Sequence, residues 1–213
     1  MRHLVLVRHG ESELNAANRL RRIYCGQIET PLTDVGRRQA VAAARQLARL
    51  EYLRLSQAIS SPLERARETL QLMLAELNGP IELLSASPHL LERSHGAFEG
   101  REEHEVFGEY PHYRDDPNFN GFMNHFEQCA PDGENLATVT ARAWPVIREV
   151  VQASSGDVLV VSHYNTIRCI VGKALELSPD VVLRMRPQNA APIVLRYNGG
   201  YKLLEGGGIL EGA

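Results

Sequence analysis

Residues 4–12 read Leu4-Val5-Leu6-Val7-Arg8-His9-Gly10-Glu11-Ser12, four apolar side chains running straight into an arginine, a histidine and a glycine. Two of the four are β-branched, the pattern of a short strand buried on both faces. In an open parallel α/β sheet, ligands bind in the crevice beyond the carboxyl ends of the strands. Arg8 and His9 are expected at that edge, and Gly10 lets the backbone turn close to whatever binds there.

Alternation of strand and helix continues outward from this stretch. Residues 11–22 are polar and read as a short helix and loop carrying Arg19, Arg21 and Arg22. Thr33 is expected as an N-cap, with Asp34 in the first turn of a helix over residues 35–50. Residues 57–60 form a second strand. Ser61-Pro62-Leu63-Glu64 then carries the marks of a helix start, with Ser61 as N-cap, Pro62 at the first helical position and Glu64 completing a capping box. That helix stops at Asn78-Gly79-Pro80. Residues 81–84 are a third strand and 89–92 a brief extended piece. A helix over 134–153, kinked at Pro145, leads to the second fully buried strand, 157–162, which ends in His163. A helix follows from near Asn165 to 175, and strands at 193–197 and 201–204 close the chain. The pattern predicts a three-layer α/β/α sandwich with a mostly parallel central sheet. One domain is expected over 1–205, with a lid-like insertion at about 101–133 marked by Pro111, Pro117 and Pro131, and a loose tail at 206–213.

With 213 residues, 44 % of them hydrophobic, the chain can bury a full core, and a net charge of −3 gives no reason to expect nucleic acid as a partner. Cys25, Cys129 and Cys169 are odd in number and form no Cys-x-x-Cys pair, so reduced thiols in a cytoplasmic protein are the simplest account. Neither an export signal nor a membrane-length apolar run is visible. A homodimer stays open.

The polar residues collect at one rim. Arg8 and His9 follow one buried strand and His163 another. Arg65 lies in the first turns of the helix after the second strand, and Glu92 follows the third. A cation near a helix N-terminus opposes the macrodipole, so Arg65 reads as recruiting an anion. The plainer alternative is a salt bridge with Glu64 or Glu68. Two arginines and two histidines around one point make a phosphate cage, because guanidinium forks match phosphate oxygens in pairs. No carboxylate cluster of the kind that holds Mg²⁺ accompanies them, no phosphate loop is present, and we expect neither metal nor cofactor.

Several blocks together carry a family likeness. Arg8-His9-Gly10-Glu11-Ser12 with Asn15 resembles the signature of the histidine phosphatase superfamily, phosphoglycerate mutase-like branch. Thr30-Pro31-Leu32-Thr33, Ser61-Pro62-Leu63-Glu64-Arg65-Ala66, Leu91-Glu92-Arg93-Ser94-His95-Gly96 and Val160-Val161-Ser162-His163 resemble its later blocks, in order. The resemblance implies that His9 is the nucleophile and becomes phosphorylated. It implies that Arg8, Arg65 and His163 hold the phosphoryl group, with Asn15 and the backbone at Gly26 or Gln27 assisting. Glu92 would protonate the leaving oxygen and then help deprotonate water. His9 must attack as neutral imidazole, which neighbouring positive charge favours.

Three departures matter. The segment between Asn15 and Gly26 is longer than in most relatives, inserting Arg19, Arg21 and Arg22 as either a solvated face or a seat for a second substrate anion. Tyr164 follows His163 where glycine is usual, so an aromatic ring is expected to line the pocket. The adjacent arginines with which mutases of this family grip a substrate carboxylate are missing from 101–133, which has only isolated Arg101 and Arg114. Hydrolysis of a phosphomonoester is therefore the leading expectation, with a small-molecule phosphoester as the expected partner. A cofactor-dependent phosphoglycerate mutase comes second, and an idle phospho-ligand-binding relative third. His95 and His104 are expected at the mouth of the pocket if any other histidine is. Tyr110, Tyr113, Arg114, Phe119 and Phe122 are left unassigned.

Overall fold

The computed structural model describes residues 2–116, 125–206 and 209. Among them, β1 (Arg2–Arg8), β2 (Leu55–Ser60), β3 (Glu82–Leu83), β4 (Asp157–Ser162), β5 (Ile193–Tyr197) and β6 (Tyr201–Glu205) form one sheet in the order β3-β2-β4-β1-β5-β6. The β1–β4, β2–β4 and β2–β3 pairs are parallel. Only β5 and β6, on one edge, run antiparallel to their neighbours.

Side-chain alternation on the two central strands builds the layers. Leu4 and Leu6 of β1 and Val158 and Val160 of β4 face one core. There they meet Ala143, Ile147 and Val151 of α6 (Leu136–Ala153) and Ile167, Ile170 and Val171 of α7 (Tyr164–Ala174). Val5, Val7, Leu159 and Val161 face the opposite core. That side is filled by Ala40, Ala43, Ala44 and Leu47 of α2 (Asp34–Ala48) and by Ala66, Leu70 and Met73 of α3 (Glu64–Glu76). Each fully buried Leu or Val contributes about 1.5–3 kcal/mol. The doubly covered strands therefore end in a fully buried platform at the rim where the site forms. The fold is α/β with a mostly parallel central sheet, as the pattern predicts.

Local signals hold in most places. Thr33 caps α2, accepting a hydrogen bond from Gly36 N at 3.0 Å, and Asn135 caps α6 in a reciprocal box with Thr138. α6 runs through Pro145. The helix start at Ser61 is a correction. α3 begins at Glu64 with Leu63 at the cap position, and neither a side-chain cap nor a capping box forms there. Ser61 is fully buried and its N–H donates to Val161 O, so the chain is still following the sheet at that point. Glu29 takes the cap's place, its Oε2 accepting from Glu64 N at 2.9 Å. A side chain 35 residues upstream in sequence outcompetes the local one. Residues 88–90 are a 3₁₀ turn, so the extended piece expected at 89–92 starts only at Leu91. α8 (Pro179–Arg184) was not expected, although Ser178-Pro179-Asp180 is a fair helix opening.

Of the segment 101–133, the described part holds α4 (Glu103–Glu109) and α5 (His112–Asp115). It has a small core of its own, in which Tyr24, Val106 and Tyr113 gather on fully buried Phe98. Pro117, Phe119 and Phe122 lie outside the described residues, as does most of the 206–213 tail. No helix among the described residues is long and apolar enough to cross a membrane.

Candidate active site

The carboxyl ends of β1 and β4 lie side by side, and His9 N donates to Ser162 O at 3.0 Å, extending their pairing by one residue. The turn after His9 is then set from two sides. Gly10 N donates to Thr69 Oγ1 of α3 at 3.0 Å, and its Cα packs so close to α2 that a Cβ there would stand 2.3 Å from Gly36 O. This close approach is why glycine follows the histidine.

His9 is 3 % exposed. Its Nδ1 lies 2.7 Å from Gly10 O. A carbonyl only accepts, so Nδ1 carries the proton and Nε2 keeps its lone pair. His163, immediately after β4, is completely buried with its ring centroid 5.1 Å from that of His9. Neither of its ring nitrogens has a hydrogen-bond partner among the described residues. Burial first, then the charges of Arg8 and Arg65, hold the His9 imidazolium far below the usual histidine range. Burial and then Arg65 do the same for His163. Both rings are neutral at physiological pH, the state a nitrogen nucleophile requires.

A cleft of about 350 Å³ opens over His9, and Arg8, Asn15, Arg65 and Glu92 line it. His163 is not among the lining residues, but its ring stands beside that of His9. Arg65, in the first turn of α3, is 4 % exposed, and its fork is anchored twice: Nη1 donates to Ile28 O at 2.7 Å and Nη2 to Gly26 O at 2.9 Å. It forms no salt bridge with Glu64 or Glu68; Glu68 is taken by Arg37. Asn15 Oδ1 accepts from Ser12 N and from Asn189 Nδ2, which fixes the amide and leaves its own NH₂ for the cleft. Glu92 Oε1 accepts from Arg93 N at 2.8 Å and from Asn165 N at 3.1 Å, the latter in the first turn of α7. The carboxylate thus sits on a helix N-terminus, where the dipole favours negative charge. Arg142 holds the Glu92 backbone by donating from Nη2 to its carbonyl oxygen at 3.0 Å.

Gly26 and Gln27 are not brought into the cleft wall. The Gly26 carbonyl orients Arg65, and Gln27 N donates to Glu99 Oε1 at 3.0 Å, so the Gln27 N–H that the resemblance offered to a phosphate is already engaged. The insertion between Asn15 and Gly26 ends in ion pairs: Arg19 with Glu11, Arg21 with Glu102, and Arg22 with Glu103 at 2.9 Å. Only the last pair reaches the cleft. His95 lines the cleft and, being buried, has its pKa lowered to about 3. His104 is exposed beside Glu102 instead. Tyr24, Cys25, Glu103 and Asn165 also line the cleft, and no short-range signal marked the first three. Their placement depends on residues 22–25 crossing to 99–103, joined by the Ile23–Glu102 bridge. Burial raises the Cys25 thiol to about 11, which keeps it protonated. Among the described residues, no group of three or more His, Cys, Asp and Glu could hold a metal ion.

A profile of the histidine phosphatase superfamily (branch 1) matches residues 4–207. A 2,3-bisphosphoglycerate-dependent phosphoglycerate mutase from Brucella melitensis biotype 1 is 30 % identical over 92 % of this chain and 93 % of its own length. One from Bartonella henselae is 29 % identical over the same shares. A mycobacterial glucosyl-3-phosphoglycerate phosphatase superposes with a TM-score of 0.78 at 25 % identity, covering 95 % of this chain and 97 % of that one. An α-ribazole phosphatase from Shigella flexneri shares the fold, with a TM-score of 0.75 at 23 % identity and 95 % of each chain covered.

Proposed function

The chain belongs to the histidine phosphatase superfamily, and on that premise we propose that it is a phosphomonoesterase that hydrolyses a small phosphorylated metabolite through a phosphohistidine at His9. The observation that supports this best is the locked tautomer. With Nδ1–H held by the Gly10 carbonyl, Nε2 is the nucleophilic nitrogen, in a wall shared with Arg8 and Arg65.

Nε2 attacks phosphorus, the ester P–O bond breaks, and the leaving oxygen takes a proton from Glu92, whose carboxylate has received it from the incoming phosphate monoester. Arg8 and Arg65 balance the charge on the phosphoryl oxygens, and His163 donates a hydrogen bond from a ring already positioned and desolvated. Such preorganised donors supply most of the acceleration in phosphoryl transfer. Water then attacks the phosphohistidine while Glu92 accepts its proton, the P–N bond returns its electron pair to Nε2, and inorganic phosphate leaves.

Mutase activity is the second reading, favoured by the names of the relatives at 29–30 % identity. Against it, Arg101 pairs with Glu109 and Arg114 with Asp115, and neither lines the cleft where a substrate carboxylate would need gripping. Phosphate release from p-nitrophenyl phosphate in EDTA, abolished in His9→Ala, tests the proposal. Transfer between the 2- and 3-positions of glycerate that depends on a bisphosphate primer would replace it with the mutase. Inactivity across a phosphoester panel would leave an idle phospho-ligand-binding relative.

A further inference from the structure

Arg8 is held more loosely than its partner in the cage. Its Nη1 donates to Pro187 O at 3.0 Å, whereas its buried Nε has no hydrogen-bond partner among the described residues. Arg65 is tied at both ends of its fork. A guanidinium with one hydrogen bond can pivot about it, and bidentate recognition of phosphate depends on the plane of the fork. A ring supplies the second constraint. Arg8 Cζ lies 5.1 Å from the centroid of Tyr164, within the distance at which an aromatic face attracts a cation.

Tyr164 is itself well fixed. Its hydroxyl donates to Met185 O at 3.1 Å, and Arg168 Cζ also lies 5.1 Å from its centroid. Arg168 is 2 % exposed, bonded to Val182 O at 2.8 Å and Asn165 Oδ1 at 3.1 Å. Among the described residues its buried Nη2 has no partner, and no carboxylate forms an ion pair with it. A buried arginine so weakly compensated costs stability, so packing alone is a poor account of it.

We propose that Tyr164, braced by Arg168 and by the Met185 carbonyl, is the positioning residue that aims Arg8 at the phosphoryl group. The kinetic part of this rests on the phosphatase reading; the phosphate-binding part does not. The test measures Tyr164→Phe, Tyr164→Leu, Tyr164→Ala and Arg168→Met by calorimetric titration with inorganic phosphate, and by kcat and KM on p-nitrophenyl phosphate. Removal of the aromatic face in the Leu and Ala variants is expected to weaken phosphate binding and raise KM about tenfold, the size of a desolvated cation–π contact, with kcat falling less. Tyr164→Phe keeps the face and recovers most of the loss, and Arg168→Met shows a smaller loss of the same kind. In an Arg8→Met background, Tyr164→Leu adds less than twofold, because the ring has no guanidinium left to hold. An equal loss in both backgrounds, or phosphate binding unchanged in Tyr164→Leu, overturns the proposal. If the wild type hydrolyses no phosphomonoester, the phosphatase reading falls while the calorimetric cycle still decides the role of Tyr164.

Discussion

Acid should unfold this protein earlier than its carboxylates alone would dictate, and three imidazoles are the reason. His9, His95 and His163 are all buried at 3 % exposure or less, and each has its proton affinity lowered by that burial, with neighbouring arginines adding to it. Below about pH 6.5 the unfolded chain takes up a proton at each of the three while the folded chain does not. The contribution is therefore fully present above about pH 6.5 and is lost as the pH falls toward the lowered folded-state values. Each group approaches a slope of about 1.4 kcal/mol per pH unit, so the three together approach about 4 kcal/mol per unit. A domain holding about 5–15 kcal/mol in total would lose a large part of it between pH 6.5 and 5, before ordinary carboxylates titrate. Urea unfolding at half-unit steps from pH 7.5 to 5, in phosphate-free buffer of constant ionic strength, measures the slope. His95→Gln should remove about a third of it without touching the nucleophile. Stability that stays flat from pH 7 to 5, or a slope that His95→Gln leaves unchanged, would refute the reasoning.

Three further outcomes are expected. Glu92→Gln should lower turnover of an alkyl phosphate about 10²–10⁴-fold, but lower that of p-nitrophenyl phosphate much less, since its leaving group needs no proton; equal losses on both, measured by phosphate release, speak against the acid role. Gly26→Ala places a Cβ 2.2 Å from Glu99 Oε1 and 2.9 Å from Arg93 O. It should dislodge a carboxylate that accepts from Gln27 N and His95 N, at about 1.5–3 kcal/mol per bond, and weaken phosphate binding through Arg65; thermal melts and phosphate titration read the two effects. Gly36→Ala sets a Cβ 2.1 Å from the Glu11 carbonyl, where only backbone could yield, and should cost about 1–3 kcal/mol in urea unfolding.

The sheet and the five main site residues were legible because each signal was local. Apolar runs at 4–7 and 158–161 mark strands covered on both faces, and a residue at the end of such a strand is placed by it. That logic puts Arg8, His9 and His163 together, and Arg65 and Glu92 follow from the ends of neighbouring strands. Legibility failed wherever a partner came from far away in the chain. Ser61 has the chemistry of a cap and lost its place to Glu29. Gly26 reads as a phosphate-binding turn, yet its carbonyl serves Arg65 while Glu99 claims the next N–H. Tyr24, Cys25 and Glu103 reach the cleft through pairing between two loops, for which a linear pattern holds no period.

The strand order has a consequence for how the protein comes into being. β4, the fourth strand to be synthesised, occupies the position between β1 and β2, the first two. On a ribosome, therefore, the first 156 residues emerge without the strand that joins their two halves, and the opening strand must wait with its apolar face unclaimed. Only when residues 157–163 have left the exit tunnel can both imidazoles meet.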